Sequence, residues 1–482
     1  MHIRGIIRMF MGKEGKMKKR MKKLLSSLVC LTMVFSLPAC GTEKQEETKP
    51  GTDAVSMEEA DTSTLEGWGE AVKSSLGGTT ITALLASHDS TTAMTEMIDE
   101  FTELTGINVN TKVLASAEMK TMQRSSSSTK AGTFDVYMVD AFTIYDYAKS
   151  GYIDSLEPYL NDSSQTPEWY DYDDILPAYS EGIASVDGVP YTLPIAGEGR
   201  FIAYRTDLFE KYEKEAPENL DELLELAQFF NGKEDELYGF VCRGGAGTLC
   251  GSAHMSLAYC FTDDPIINHE TGEFCVDSPE TIQSIAYFLD LVKNGPKDIA
   301  SYNHEDAAAL FMQGHAAMWF DATSMAYMFD DPSSCSVADK IDYFTVPEGP
   351  AGGSGAIAGW SLGIPSDSEN KDAAYAFIMY MTSKEKAKEY NEKGGIPCRN
   401  STFEDEELLA EKPLNAKVYE TIQEAGKLVD RGVAYNYESA HVLDFMSIIG
   451  NQINRAMIGE ISAEEAAEAA QSEIEAVLAE EK

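Results

Sequence analysis

From residue 79 onward the chain alternates short apolar runs with longer stretches whose apolar positions recur every three to four residues. "TTITALLAS" (79–87) predicts a strand. "TAMTEMIDEFTELTG" (92–106) predicts a helix with Met94, Met97, Ile98, Phe101 and Leu104 on one face, ended by Gly106, where a left-handed residue closes the last turn. "INVNTKVL" (107–114) alternates as a second strand, and "TFDVYMVDA" (133–141) is an apolar run of the kind found in buried parallel strands. Further helices carry start signals: Asn219 with Glu222 before "LLELAQFF", Ser278 with Pro279 before "ETIQSIAYFLDLVKNG", and Ser462 with Glu465 near the end. Gly232 and Gly295 stop the first two. Strands alternating with helices predict an α/β fold with largely parallel sheets. About 400 residues from 79 to 482 exceed one core and predict two domains.

The first 78 residues follow a different pattern. A basic segment (18–23) precedes about 15 apolar residues and then "Leu37-Pro38-Ala39-Cys40-Gly41". That is the build of a secretory signal, shorter than the ~20 residues of a spanning helix. The last five residues are similar to a bacterial lipobox, so residues 1–39 are expected to be a signal peptide and Cys40 a lipidated N-terminus. Residues 41–78, rich in Glu, Thr, Ser and Gly, predict a flexible acidic tether of about 35 Å mean span, with Trp68 as its exception. Nine basic residues and one acidic residue precede Cys40; the chain from Cys40 on therefore has 29 basic and 79 acidic side chains, a formal −50. Such a surface repels nucleic acid and anionic headgroups, so no nucleic-acid partner and no membrane contact beyond a lipid anchor are expected. Cys242, Cys250, Cys260, Cys275, Cys335 and Cys398 have no metal-ligand spacing. A local disulfide between two of the four at 242–275 and reduced thiols are both open.

No GxSxG, GxxxxGK[ST] or HExxH motif is present, and "GGAGTLCG" (244–251) fails GxGxxG at Cys250. Neither a catalytic residue nor a cofactor nor a metal is expected. What stands out are aromatic and polar residues at predicted strand ends: "SHDS" (87–90), "VDAF" (139–142), "GEGRFIAYR" (197–205), "AMWFDATS" (317–324), "AGWSLGIP" (358–365) and "GGIPCRNS" (394–401). Ligands of open α/β sheets bind outside the carboxyl ends of strands. A sugar or polyol needs an aromatic plate for its C–H face and charged groups for its hydroxyls. Trp319, Trp360, Asp89, Asp140, Asp321, Glu198 and Arg399 supply both kinds. The structural alternatives are a core tryptophan, a helix-capping aspartate, a surface histidine and an arginine that offsets excess negative charge.

Six stretches, at 81–109, 133–160, 187–212, 309–324, 343–383 and 453–478, occur in the order found in extracellular solute-binding proteins of carbohydrate ABC importers. The chain resembles that group, which includes maltose-binding protein, and "AMWFDAT" and "AGWSLGIP" are most similar to members that bind hexitols or monosaccharides. The resemblance implies a type II two-lobed flytrap, lobe 1 combining 79–194 with 340–388 and lobe 2 combining 195–339 with 389–482. It implies ligand contacts from Ser87, His88, Asp89, Asp140, Glu198, Arg200, Trp319, Asp321, Gly359, Trp360 and Arg399. The expected function is capture of a sugar or polyol by a monomer lipid-anchored at a Gram-positive cell surface, with delivery to importer permease subunits and no enzymatic step. A sugar-sensing lipoprotein with a signalling partner and a surface glycoside hydrolase are the alternatives.

Overall fold

The computed structural model describes residues 61–480 except 269, 354–356, 412, 431–432, 434–438 and 440. The expected signal peptide, Cys40 and the tether as far as residue 60 lie outside the described residues. The rest of the expected tether is not coil. It forms helix α1 (Leu65–Leu76), capped by Thr64, whose hydroxyl oxygen accepts from the Gly67 amide at 3.1 Å. Trp68 and Val72 are buried, the Trp68 ring lies edge-on to Trp169 at 6.1 Å, and Trp169 Nε1 donates to the Thr62 carbonyl. The apolar stripe of Trp68, Ala71 and Val72, at i, i+3 and i+4, is enough to fold a segment whose average composition is polar.

The principal elements that follow are β1 (Thr80–Ala86), α2 (Asp89–Thr95), α3 (Ile98–Thr105), β2 (Asn108–Leu114), α4 (Ser116–Thr129) and β3 (Val136–Asp140). Next come β4 (Thr192–Glu198), β5 (Arg200–Arg205), α5 (Leu220–Phe230), β6 (Val241–Cys242), α6 (Thr248–Ala258), α7 (Pro279–Val292), α8 (His304–Met312), β7 (Met318–Ala322) and β8 (Ile341–Thr345). The chain closes with β9 (Ala358–Gly363), α9 (Lys371–Met381), α10 (Lys384–Glu392), α11 (Pro413–Asp430), α12 (Val442–Met457) and α13 (Ala463–Glu480). The expected helix over 92–106 is two helices, α2 and α3, broken before Ile98. Met94, Met97 and Phe101 are fully buried, and Gly106 takes the left-handed conformation at φ 70°. Caps at Asn219, Ser278 and Ser462 form as their spacing predicts.

Two sheets organise the chain. One has the order β2-β1-β3-β9-β4 and the other β8-β5-β7-β6. The expectation of largely parallel sheets holds for β2-β1-β3. It does not hold for β9, antiparallel to both β3 and β4, nor for the second sheet, where only β6 and β7 run parallel. The cause is connectivity: β4 turns into β5 over the single residue Gly199, and β9 returns from the second sheet to the first. The strands also move the expected lobe boundaries. All of β4 lies in the first sheet, past residue 194, and β8 pairs with β5 in the second, although the resemblance implies that residues from 340 belong to lobe 1. Helix α11 packs against β8 of the second sheet and β4 of the first, so it straddles both. Cys242, Cys250, Cys335 and Cys398 are buried thiols and Cys275 a half-buried one, none of them in a disulfide.

Candidate functional site

The register of the two sheets puts their chemistry at facing edges. Asp140 is the last residue of β3 and lies opposite Trp360, near the start of β9; Glu198 is the last residue of β4 and lies opposite Ala358. One edge of the first sheet therefore carries Asp140, Trp360 and Glu198 side by side. On the second sheet Arg200 begins β5 opposite Ala322, Asp321 nears the end of β7 opposite Phe201, and Arg243 follows β6. Gly199 joins the two edges. A Cβ there would come within 2.7 Å of Thr421 on α11, so the crossing needs a residue without a side chain. Gly359 is needed for the same reason, its Cβ position being 2.4 Å from the Ala196 carbonyl oxygen.

A cavity of about 280 Å³ lies between these edges. Asp140, Phe142, Glu198, Gly359 and Trp360 line it from the first sheet, and Lys120 from α4. Arg200, Arg243 and residues of α6, α8 and α12 form the other wall. Its polar groups come in pairs. Lys120 Nζ is salt-bridged to Asp140, whose other oxygen, Oδ1, accepts from the Phe142 amide at 3.0 Å, so this aspartate caps a turn as well as facing the cavity. His88 Nε2 lies 2.8 Å from Glu198 Oε1, and the His88 ring is 5.9 Å from that of Trp360. Arg243 grips Asp321 with Nε (2.9 Å to Oδ2) and Nη2, while Arg200 Nη1 stands 3.5 Å from Asp321 Oδ1 and Arg200 Nη2 donates to Ser252 Oγ at 3.1 Å.

In the arginine–aspartate and histidine–glutamate pairs, burial and the partner's charge oppose each other. Burial pushes the Asp321 carboxyl up, but Arg243 and Arg200 beside it bring it below its ordinary value. Burial, then the neighbouring Arg243, lowers Arg200 to about 10. Burial also works against the Arg243 charge, yet Asp321 raises it above the ordinary guanidinium value. At His88 burial lowers and Glu198 raises, with Glu198 prevailing, so the imidazole binds its proton more tightly than a free one.

Of the residues expected from the sequence, Asp140, Glu198, Arg200, Gly359 and Trp360 line the cavity, and His88 and Asp321 each hold a group that does. The others are elsewhere. Trp319, the second residue of β7, is fully buried against Phe311 and Phe329, and is core. Arg399 is 2% exposed and donates to the Thr382 and Asp171 carbonyls at 2.8 Å each, with its guanidinium over Tyr170; it ties loops of the first-sheet side together. Asp89 is exposed in the first turn of α2, and Ser87 is exposed just before it; neither lines the cavity. Lys120, Arg243, Ser252 and His304 were missed. Arg243 follows a strand as the others do and was legible by that rule; Lys120 lies inside a helix and gives no such signal.

Two sheets that flank one cleft, joined directly where β4 runs through Gly199 into β5, define a two-lobed ligand-binding protein. Residues 86–388 match the bacterial extracellular solute-binding protein family, and the chain belongs to it. It is 26% identical to the erythritol/L-threitol-binding protein of Mycolicibacterium smegmatis, over 73% of this chain and 77% of that one. It is 28% identical to the mannitol-binding protein of Pseudomonas aeruginosa, over 71% and 80%. Among solved structures, a solute-binding protein of an ABC transporter from Agrobacterium radiobacter K84, in complex with ribitol, superposes with a TM-score of 0.73 at 24% identity, covering 83% of this chain and 98% of that one. The fold is the two-lobed type II periplasmic-binding-protein fold. These relatives are binding proteins.

Proposed function

We propose that the protein captures a small polyol or monosaccharide between its lobes and delivers it to an ABC importer, without covalent chemistry. The observation that carries this reading is the half-buried Trp360 indole set among paired carboxylates and guanidinium groups in a cavity of about 280 Å³. An indole face takes the C–H surface of a polyol, and the charged rim takes its hydroxyls. A micromolar ligand needs about −8 kcal/mol, within reach of one stacked indole and a few charge-assisted hydrogen bonds. The names of the relatives support the class: erythritol or L-threitol in one, mannitol in another. In this reading lobe 1 runs from α1 to β4 with β9, α9 and α10, and lobe 2 from β5 to β8 with α12 and α13, joined by α11. Cys40, within its lipobox-like stretch, anchors the chain by lipid to the outer face of a Gram-positive membrane, and replacing it by Ser should abolish metabolic labelling with palmitate.

The test is thermal melting of the purified protein with alditols, monosaccharides and short oligosaccharides. A ligand present at 100 times its Kd adds about 2.7 kcal/mol of stability. A shift with an alditol or monosaccharide is expected. No shift with any of the panel removes carbohydrate as the ligand, and release of product from an oligosaccharide would contradict the absence of catalysis.

A further inference from the structure

The cavity wall holds three cations, Lys120, Arg200 and Arg243, and each stands against a carboxylate that is already in place. The carboxylate behind the arginines is unlike the others. Asp321 has no exposed surface and does not line the cavity. Its Oδ1 also accepts from the Ala322 amide at 2.7 Å, which adds to the bonds that hold it against the arginines. The forked Nε/Nη2 edge of Arg243 is used up on Asp321. That edge is what a guanidinium offers a ligand carboxylate in its best geometry. Beyond the Nε/Nη2 edge of Arg243 and the Arg200 Nη2–Ser252 bond, a ligand is left the remaining N–H donors of the two arginines, which suit hydroxyl oxygens. An anion entering the cavity would in addition approach Asp140 and Glu198.

We propose that Asp321, acting through Arg200 and Arg243, is the specificity-determining residue that makes this cleft select uncharged polyols over the corresponding sugar acids. This rests on the polyol-or-sugar reading of the site. Each cation of the wall already has a carboxylate partner, Lys120 with Asp140 and both arginines with Asp321, while His88 stands against Glu198, so a neutral ligand leaves this pairing intact. A carboxylate ligand upsets it. Removing the Asp321 charge alone turns the second wall into an anion site.

The experiment is calorimetric titration of the wild-type protein and Asp321→Asn with D-mannitol and D-mannonate, which differ by one oxidised carbon. The wild type should prefer mannitol by ~100-fold or more, as like charges placed together exclude wrong partners. Asp321→Asn should narrow that preference at least tenfold, chiefly by gaining mannonate. Equal loss of both ligands in a folded Asp321→Asn, or a wild type that takes mannonate as well as mannitol, overturns the proposal. Should Asp321→Asn not fold, Asp321→Asn/Arg243→Gln removes one charge of each sign and should keep the wild-type preference; a swing to mannonate contradicts it. A ligand-independent measurement separates this claim from the sugar reading. Quenching of Trp360 fluorescence, taken as the difference from Trp360→Phe, should show no advantage of iodide over acrylamide in the wild type. If no carbohydrate binds, the sugar reading falls, and a wild-type cleft that already favours iodide sinks the charge-balance claim as well.

Discussion

At the scale of single residues the site depends on where along a strand a side chain falls. Trp319 and Trp360 both occur in apolar runs of similar composition, yet one is core and the other lines the cavity, because β7 sets Trp319 opposite Ala203 inside β5 whereas β9 sets Trp360 opposite Asp140, the last residue of β3. Sequence shows the run but not the strand's limits, which is why Trp319 was misjudged while Asp321, two residues on, belongs with the site. Arg399 misled for another reason: a buried arginine satisfied by backbone carbonyls has the same letter as one that waits for a ligand. Trp360→Ala is expected to weaken ligand binding at least tenfold in calorimetry while leaving the far-ultraviolet circular dichroism unchanged. Unaltered affinity would remove Trp360 from the site. His88 carries a pH signature. Because Glu198 holds the proton on His88 in the folded chain, the pair's stabilisation is complete below about pH 6.5, the ordinary imidazole value, and fades as pH climbs through the raised folded value. The melting-temperature gap between wild type and His88→Gln should thus be wide at pH 5.5 and narrow at pH 8.5. A gap that does not change with pH contradicts this.

At the scale of elements, helix starts were readable because caps are local: Asn219, Ser278 and Ser462 each bond to an amide three residues ahead. Strand direction was not, because it depends on partners far along the chain, as β9 between β3 and β4 illustrates. Helix α1 was hidden by averaging, its three buried apolar residues lying within an acidic, small-residue segment. Its buried tryptophan makes it part of the folded body, and Trp68→Ala should destabilise by about 3–5 kcal/mol in urea denaturation. A change under 1 kcal/mol would return the helix to the tether. Behind the cavity, α6 and α12 cross at glycines: a Cβ on Gly450 would come to 1.9 Å from the Gly247 carbonyl oxygen, and one on Gly251 to 2.1 Å from that of Met446. Gly450→Ala should cost about 1–3 kcal/mol and weaken binding too, since Met446 and Leu443 of α12 line the cavity.

At the scale of the whole molecule, the two-lobed α/β plan was legible from element order and from six stretches in series, while the seam between lobes was not. The seam follows from strand pairing, with β4 and β5 on opposite sides of Gly199 and α11 lying across both sheets. Such a frame lets ligand shift an open–closed equilibrium by its differential affinity for the two forms and by no more. The most direct measurement is small-angle X-ray scattering of the wild type and Trp360→Ala with and without the alditol or sugar that gives the largest thermal shift. The radius of gyration of the wild type should fall on saturation, and that of Trp360→Ala should stay at its unliganded value at the same ligand concentration. A ligand that binds with no contraction of the wild type, or that contracts both proteins alike, would contradict capture between the lobes at this cleft.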